Sequence, residues 1–268
     1  MNTINELIDL KGKCALITGA GGKIGYQIAL TIAELGGDLI LVDMPGTNYD
    51  NLKSAIEVLG ERGVRCLDCD LEDEKARSEL IFNLSNDKSP LNILINNAAF
   101  VGTTNLEGWV TDFQSQSVET WRRAVEVNLT AAFDLSKGLM RKIKESGDGS
   151  IINISSIYGF VAPDYSLYEG TQMGDPAAAY AVSKGGLIQF SRWMATSLAP
   201  DIRVNTISPG GVFRDQPEKF VERYKIKTPL GRMATEEDFK GAIAYLASNL
   251  SSYVTGHNLV VDGGWSAW

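Results

Sequence analysis

Cysteine and histidine are scarce in this chain. Of its 268 residues, three are cysteine and one, His257, is histidine. Three cysteines are too few for a disulfide framework. A single histidine excludes a multi-histidine metal site and a Ser–His–Asp triad, so we expect no metal. Cys66 and Cys69 have the spacing of a redox pair, but a predicted strand would point them to opposite faces, which favours core cysteines.

Long apolar runs and an excess of basic residues are also lacking. No stretch approaches the roughly 18 consecutive apolar residues of a membrane-spanning helix, and residues 1–10 lack the basic and apolar regions of a secretory signal. The chain carries 25 basic and 33 acidic residues, a formal net charge of −8, which repels phosphate polymers. We therefore expect a cytoplasmic protein with a small-molecule substrate, bound to neither nucleic acid nor membrane.

Short apolar runs alternate with amphipathic stretches along the whole chain. The runs are rich in Val, Ile and Leu, as in a parallel sheet covered on both faces. Seven strands joined by helices predict an α/β fold of the Rossmann type, which is doubly wound, has three layers and contains a mostly parallel sheet. We expect this fold to form one domain over residues 1–268. The predicted strands are Cys14–Thr18, Asp38–Asp43, Val64–Cys69, Asn92–Asn96, Ser150–Ser155, Arg203–Ser208 and Asn258–Asp262. The predicted helices are Ile24–Leu35, Asn51–Gly60, Glu72–Leu84, Ser117–Lys144, Ala178–Leu198 and Glu236–Asn249.

Three segments interrupt this alternation, at residues 100–116, 158–176 and 210–232. Each follows a predicted strand. Because open α/β sheets bind ligands outside the carboxyl ends of their strands, we expect these segments to surround the substrate.

A glycine-rich turn over residues 18–25 follows the first strand and opens a helix. Glycines allow a tight turn, and a helix N-terminus presents free N–H groups to a pyrophosphate. The second strand ends at Asp43, where a carboxylate can accept hydrogen bonds from the ribose hydroxyls of NAD and repel the 2′-phosphate of NADP. Lys23 in the turn favours NADP, because an ammonium attracts that phosphate. We predict NAD, with NADP as the alternative.

Tyr180 and Lys184 lie four residues apart in a predicted helix and therefore share a face. A nearby ammonium could bring the pKa of the phenol from about 10 towards 7, where a tyrosine acts as a general acid and base. An ordinary surface pair is the alternative. Ser155 and Ser156 end the fifth strand, so a hydroxyl can meet the phenol, or can simply satisfy local backbone groups.

Eight motifs, in order along nearly the whole chain, resemble those of the short-chain dehydrogenase/reductase family. They are TGAGGKIG (18–25), CDL (69–71), NNAA (96–99), VNLTAAF (127–133), NISS (153–156), YAVSK (180–184), RVNTISPG (203–210) and VTGHNLVVDGG (254–264). The resemblance implies that Tyr180 is the acid/base and that Ser156 orients the substrate oxygen. It also implies that Lys184 binds the nicotinamide ribose and that Asn128 holds a water in a proton relay.

The cofactor contacts expected from the turn, from Asp43 and from this resemblance extend over several strand ends. They are Gly19, Gly22, Lys23, Ile24, Gly25, Asp43, Asp70, Leu71, Asn97, Ala98, Tyr180, Lys184, Pro209, Gly210 and Val212.

The chain departs from the family pattern at four places. Lys23 occupies the usual place of a middle glycine, and Ala99 replaces the glycine of the NNAG motif. Between Ser156 and Tyr180 the chain is longer than usual. Arg214 stands where the family usually has a threonine. That arginine could contact the cofactor, lie at the surface, or bind a phosphate or carboxylate of the substrate.

The predicted reaction is hydride transfer between nicotinamide and a secondary alcohol or ketone. The long insertion and the segment 209–220 resemble those of flagellin-modification dehydrogenases of nonulosonate-sugar biosynthesis, which suggests a sugar or nucleotide sugar. The alternatives are a reductase of 3-oxoacyl thioesters and a silent NAD-binding regulatory protein, although the intact motif residues argue against the second. Besides Arg214, the candidate substrate contacts are aromatic. Trp109, Tyr158, Tyr165 and Tyr168 could stack on a sugar, or could only pack the insertion on itself.

The long predicted helices 117–144 and 178–198 carry apolar residues, such as Phe133 and Trp193, on more than one face. In the short-chain dehydrogenase/reductase family, which this chain resembles, the matching helices form a four-helix dimer interface. The resemblance therefore implies a homodimer or homotetramer. Burial in a monomer core is the alternative. Trp265 and Trp268 could belong to a second interface.

Overall fold

One seven-stranded sheet forms the centre of the computed structural model, which describes residues 2–268. The strands are β1 (Cys14–Thr18), β2 (Asp38–Asp43), β3 (Val64–Asp68), β4 (Ile93–Asn96), β5 (Gly149–Ile154), β6 (Ile202–Pro209) and β7 (Asn258–Val261). Their order is β3-β2-β1-β4-β5-β6-β7, and every neighbouring pair is parallel. The predicted fold is confirmed, with a wholly parallel sheet. Strand order reverses between β1 and β4, where such folds bind ligands.

Helices cover both faces of the sheet. They are α1 (Ile4–Ile8), α2 (Lys23–Glu34), α3 (Asp50–Glu57), α4 (Glu74–Asn86), α5 (Val118–Val125), α6 (Ala131–Glu145), α7 (Ala178–Leu198), α8 (Glu218–Lys227) and α9 (Lys240–Ala247). Ala15 and Ile17 of β1 pack in one core with α2, α3 and α9. Leu16, between them, packs in a second core with α4, α6 and α7. Since adjacent strand residues face opposite sides, this pattern gives the three layers.

Two helices were not predicted. For α1, the sequence held a signal: Thr3 and Glu6 form a capping box, which marks a helix start. For α8, which lies inside the segment 210–232, the signal was the helical spacing of its buried residues Phe220 and Tyr224.

The predicted single helix 117–144 is wrong in one detail. A π-helical turn at Glu126–Thr130 separates α5 from α6. A π-turn adds one residue to one helical turn, so the apolar stripe of α6 is rotated by about 100° relative to that of α5. Such turns occur frequently at functional sites.

The two closely spaced cysteines lie on opposite faces of the sheet. Cys66 packs against the core that contains α2 and α3, whereas Cys69 belongs to the core that contains α4 and α6. Burial raises the pKa of both thiols, that of Cys69 to about 11. Both therefore stay protonated near neutrality, in agreement with core cysteines. Within residues 2–268, no three His, Cys, Asp or Glu residues cluster as a metal site would require. No helix of that described range combines the length and apolarity needed to cross a bilayer.

Candidate active site

A cleft of about 760 Å³ opens at the carboxyl ends of the strands. The glycine-rich turn and Asp43 line it, as do Ser156, Tyr180 and residues of the three segments 100–116, 158–176 and 210–232. Its volume is in the range of small-molecule sites. Most of the predicted cofactor and substrate residues therefore line one space.

The glycine-rich turn leaves no room for a side chain at Gly19 or Gly25. Gly19 has a φ of 64°, and a Cβ at Gly25 would lie 2.0 Å from the Gly19 carbonyl oxygen. The turn leads into α2, whose first residue is the exposed Lys23. A tight, glycine-rich turn followed by the N-terminus of a 12-residue helix fits the pyrophosphate of a dinucleotide.

Asp43 is fixed at the end of β2, beside this turn. Its Oδ2 accepts a hydrogen bond of 2.8 Å from the Gly21 amide, and its Oδ1 accepts one of 2.8 Å from the Met44 amide. The carboxylate is therefore held at the edge of the cleft, where a ribose hydroxyl could reach it. Asp70 and Leu71, at the end of β3, also line the cleft.

Asn97 supports the turn from β4. Its Nδ2 donates to the carbonyl oxygens of Thr18 and Gly19 at 2.9 and 3.0 Å, and the Ala98 amide donates to Thr18 Oγ1 at 3.1 Å. The side-chain amide of Asn97 is thus used to hold the turn in shape, although the residue lines the cleft.

Lys184 is almost completely buried, with an exposed fraction of 2%. Its Nζ donates a hydrogen bond of 2.7 Å to the Ile154 carbonyl oxygen and lies 5.8 Å from the centre of the Tyr180 ring. The two residues therefore share a face of α7, one turn apart. Desolvation lowers the pKa of Lys184 to about 7.

The pKa of Tyr180 differs from the sequence expectation. Burial raises it, because the phenolate loses its hydration. The nearby hydroxyl of Ser156 and the positive charge of Arg214 both act to lower it, in that order. The prediction that Lys184 lowers this pKa is wrong here: its ammonium points to a strand carbonyl, and its own burial favours the neutral amine.

The two serines after β5 have different partners. Ser155 Oγ donates to the Lys184 carbonyl oxygen at 2.8 Å and is fully engaged in supporting α7. Ser156 Oγ accepts from the Tyr158 amide at 3.2 Å and also meets Tyr180. Only Ser156 therefore has its hydroxyl beside the phenol.

Asn128 lies in the π-helical turn and is 1% exposed. Its Oδ1 accepts from the Phe100 amide at 2.7 Å, and its Nδ2 donates to Ser183 Oγ at 3.1 Å. The side chain thus ties the segment 100–116 to α7, and these contacts occupy its amide. A role in holding a water stays a prediction.

The aromatic residues of the segments have different positions. Tyr158 and Tyr168 join their hydroxyls at 2.8 Å and both line the cleft. Trp109 also lines it, with its Nε1 bonded to the Val101 carbonyl oxygen at 2.9 Å. Tyr165 is exposed and lies outside the cleft lining. The insertion does pack on itself, and three of the four aromatic residues also face the cleft.

Sequence reasoning missed Tyr224, although its helical spacing on α8 could have been noticed. Its ring stacks on Trp265 with centroids 4.4 Å apart, and its hydroxyl accepts a hydrogen bond from the Gly211 amide. The C-terminal segment thereby holds the chain after β6 in place. Trp265 is buried, whereas Trp268 is exposed.

Comparison with known proteins supports the same class. The family model described as enoyl-(acyl carrier protein) reductase matches residues 19–266. A 3-oxoacyl-[acyl-carrier-protein] reductase of Rickettsia felis is 35% identical, covering 96% of this chain and 98% of its own. A galactitol 2-dehydrogenase (L-tagatose-forming) of Cereibacter sphaeroides is 32% identical, covering 97% of each.

A solved structure is similar over nearly its whole length. It is a short chain dehydrogenase from Leptospira borgpetersenii with bound NAD+, 33% identical, with a TM-score of 0.81 and a coverage of 99% of this chain and 96% of that one. The motifs, the fold and these likenesses agree. The chain belongs to the short-chain dehydrogenase/reductase family and is an NAD(P)-dependent oxidoreductase acting on alcohol or keto groups.

Proposed function

We propose that this enzyme transfers a hydride between NAD and a secondary alcohol or ketone of a sugar or nucleotide sugar, as one domain with a small-molecule substrate. One observation carries the proposal. Tyr180 and Ser156 meet in a cleft that also contains the glycine-rich turn and the three segments. A bound dinucleotide and a substrate therefore fit in the same space as the phenol.

When bound, the nicotinamide supplies the site that accepts or gives the hydride. In oxidation the Tyr180 hydroxyl oxygen takes the proton of the substrate hydroxyl, and in reduction it returns one. Ser156 donates a hydrogen bond to the same substrate oxygen. We assign to Lys184 the binding of the nicotinamide ribose.

The proposed preference for NAD rests on Asp43. Its carboxylate is fixed by two amides at the edge of the cleft, so a 2′-phosphate there would meet a negative charge. Lys23, the residue that favours NADP, is exposed at the start of α2 and also lines the cleft, so the choice of NAD depends on the fixed carboxylate of Asp43.

A 3-oxoacyl thioester is the second candidate substrate, favoured by the likeness to the reductase from Rickettsia felis. The likeness to a galactitol dehydrogenase favours a polyhydroxylated substrate. The narrower idea of a flagellin-modification enzyme of nonulosonate-sugar biosynthesis stays a prediction, as does a cytoplasmic location.

We also propose that the enzyme is a homodimer or homotetramer. Trp193 of α7 is 62% exposed and stacks on Phe190, which in turn contacts Phe133 of α6. Three aromatic side chains in a row on a helical surface form an apolar patch suited to a second copy.

A substrate screen tests the proposal. The enzyme is mixed with NAD+ and polyols, sugar acids or nucleotide sugars, or with NADH and 3-oxoacyl thioesters, and the absorbance of NADH is followed. Turnover of a sugar-type substrate supports the proposal. Turnover of thioesters alone would contradict the sugar assignment and establish the second candidate.

A further inference from the structure

Arg214 occupies a rigid position in the third segment. Its amide donates to Gln216 Oε1 at 2.7 Å, and Gln216 Nε2 donates to the Val212 carbonyl oxygen at 2.8 Å. The preceding residue, Phe213, donates its amide to the Ala234 carbonyl oxygen at 2.9 Å. The backbone that carries Arg214 is therefore held on both sides and presents the side chain to the cleft, which it lines.

The guanidinium of Arg214 is only partly satisfied by the protein. Its Nε lies 3.5 Å from Glu236 Oε1, and both atoms are buried without a hydrogen-bond partner. Among residues 2–268 we find no acceptor for its two terminal nitrogens. The side chain keeps an exposed fraction of 26%. A partly buried ion pair with poor geometry and free N–H groups leaves the guanidinium able to bind a further anion.

Arg214 and Tyr180 line the same cleft, and the positive charge of Arg214 lowers the pKa of Tyr180. The carboxylates that line the cleft, Asp43 and Asp70, belong to the ends of β2 and β3. The part of the cleft formed by α7 and the segment 210–232 contains Lys184 and Arg214 and no carboxylate among its lining residues. An anion beside Tyr180 therefore meets the positive charge of Arg214, which is shared with the carboxylate of Glu236 3.5 Å away.

We propose that Arg214 binds an anionic group of the substrate, a carboxylate or a phosphate, and so selects acidic sugar derivatives over neutral polyols. This deepens the proposed function and rests on it. A planar guanidinium with free terminal nitrogens suits such groups, because it can donate two parallel hydrogen bonds. A neutral polyol or a thioester carbonyl offers no charge in exchange for the desolvation of the guanidinium.

Matched substrates test the proposal: gluconate, glucitol 6-phosphate and neutral glucitol. We expect the wild type to favour one of the anionic compounds, and the comparison between the two anions identifies the group. Arg214→Gln should lower kcat/KM for that compound by about 10- to 100-fold more than it lowers kcat/KM for glucitol, because the loss of positive charge near Tyr180 affects both substrates. Arg214→Lys should keep part of the preference, because an ammonium retains the charge and loses the fork.

Two further variants serve as controls. Arg232, in the same segment, binds Asp238 at the surface through both terminal nitrogens. Arg232→Gln should therefore leave kcat/KM unchanged for both the anionic and the neutral substrates. Glu236→Gln removes the carboxylate that competes for Arg214, so it should keep or strengthen the preference for anions. Equal losses for all substrates, or a raised KM for NAD alone, would overturn the proposal and show that Arg214 binds the cofactor.

Direct binding separates this inference from the reaction itself. In a Tyr180→Phe background with NAD+ present, gluconate or glucitol 6-phosphate should raise the Tm when Arg214 is intact and not in the double variant with Arg214→Gln. Protection that is independent of Arg214, or absent for both anions, would refute the anion site. If protection depends on Arg214 but the screen finds no turnover of any sugar, the proposed function fails and the anion site stands.

Discussion

The Ser155 hydroxyl donates a hydrogen bond of 2.8 Å to the carbonyl oxygen of Lys184. This contact joins the end of β5 to α7 at the turn of helix that follows Tyr180. It leaves Ser156, the next residue, to meet the phenol. Ser155 thus supports α7, whereas Ser156 lies beside the reacting phenol. Variants of the two adjacent serines can be compared with each other.

The pH dependence of activity should reflect the raised pKa of Tyr180. Oxidation needs the deprotonated phenol to accept a proton, so kcat/KM for alcohol oxidation should rise as pH rises above neutrality. Reduction needs the protonated phenol and should be level near neutrality and fall at alkaline pH. Ser156→Ala removes a polar hydroxyl that lowers this pKa, so both profiles should move to higher pH, with at least a tenfold loss of rate.

Ser155→Ala is the matched control for that experiment. It should lower the free energy of unfolding by about 1 kcal/mol and leave the position of both pH profiles unchanged. A shift with Ser155→Ala and none with Ser156→Ala would contradict the assignment of the two serines.

Lys184 should destabilise the protein at neutral pH. Its pKa is about 7 in the folded protein and 10.5 ordinarily, so the unfolded chain binds more protons between these values. The stability of the wild type should therefore rise with pH over this window. Lys184→Met should increase the free energy of unfolding below pH 7, by up to a few kcal/mol, and the gain should shrink towards pH 10.

Chemical denaturation at pH 6, 8 and 10 measures this difference for wild type and variant. A gain that grows with pH would mean that the buried amine is charged and stabilised by partners. A gain that grows with pH would also appear if an anion remained bound beside Lys184. Both proteins should therefore be dialysed free of phosphate.

The choice between NAD and NADP should depend on Asp43. Asp43→Ser removes the charge and keeps a hydroxyl that can accept from the Gly21 amide. We expect the ratio of kcat/KM for NAD to that for NADP to fall by at least tenfold. Lys23→Gln is the complementary variant: if this lysine binds a 2′-phosphate, only activity with NADP falls. An unchanged ratio in Asp43→Ser would show that this carboxylate does not select the cofactor.

The assembly should depend on the aromatic patch of α6 and α7. Trp193→Glu puts a charge at the most exposed residue of that patch and should shift the mass measured by light scattering towards the monomer. Val58→Glu, at an exposed apolar position at the end of α3, is the control and should leave the mass unchanged. A wild-type monomer would contradict the proposed oligomer directly.

Much of the fold could be predicted because the apolar runs of single strands and the order of the motifs along the chain both indicate the same parallel sheet. The apolar runs of β1 and β2 match the observed bounds, since a strand buried on both faces is apolar throughout. The order of the motifs then placed Tyr180 and Ser156 at one edge of the sheet. Which of two serines faces the phenol follows from side-chain contacts, and only the family motif indicated it in advance.

The electrostatics of the site could not be predicted from spacing. The positions of Tyr180 and Lys184 gave a correct shared face and a wrong sign for the pKa of the phenol. Desolvation depends on everything packed around the pair, and the direction of the ammonium depends on a carbonyl of β5 that is 30 residues away in sequence. The partner of Arg214, Glu236, was likewise beyond any local pattern.

The most direct test of the central claim is the activity of Tyr180→Phe, measured beside Tyr158→Phe. Tyr158 supplies a second, partly buried phenol in the same cleft, bonded to Tyr168. The account predicts that Tyr180→Phe loses at least a thousandfold in kcat while its Kd for NAD, measured by calorimetry, stays within threefold of the wild type. It predicts that Tyr158→Phe keeps turnover. Turnover of Tyr180→Phe at the wild-type rate would contradict the account.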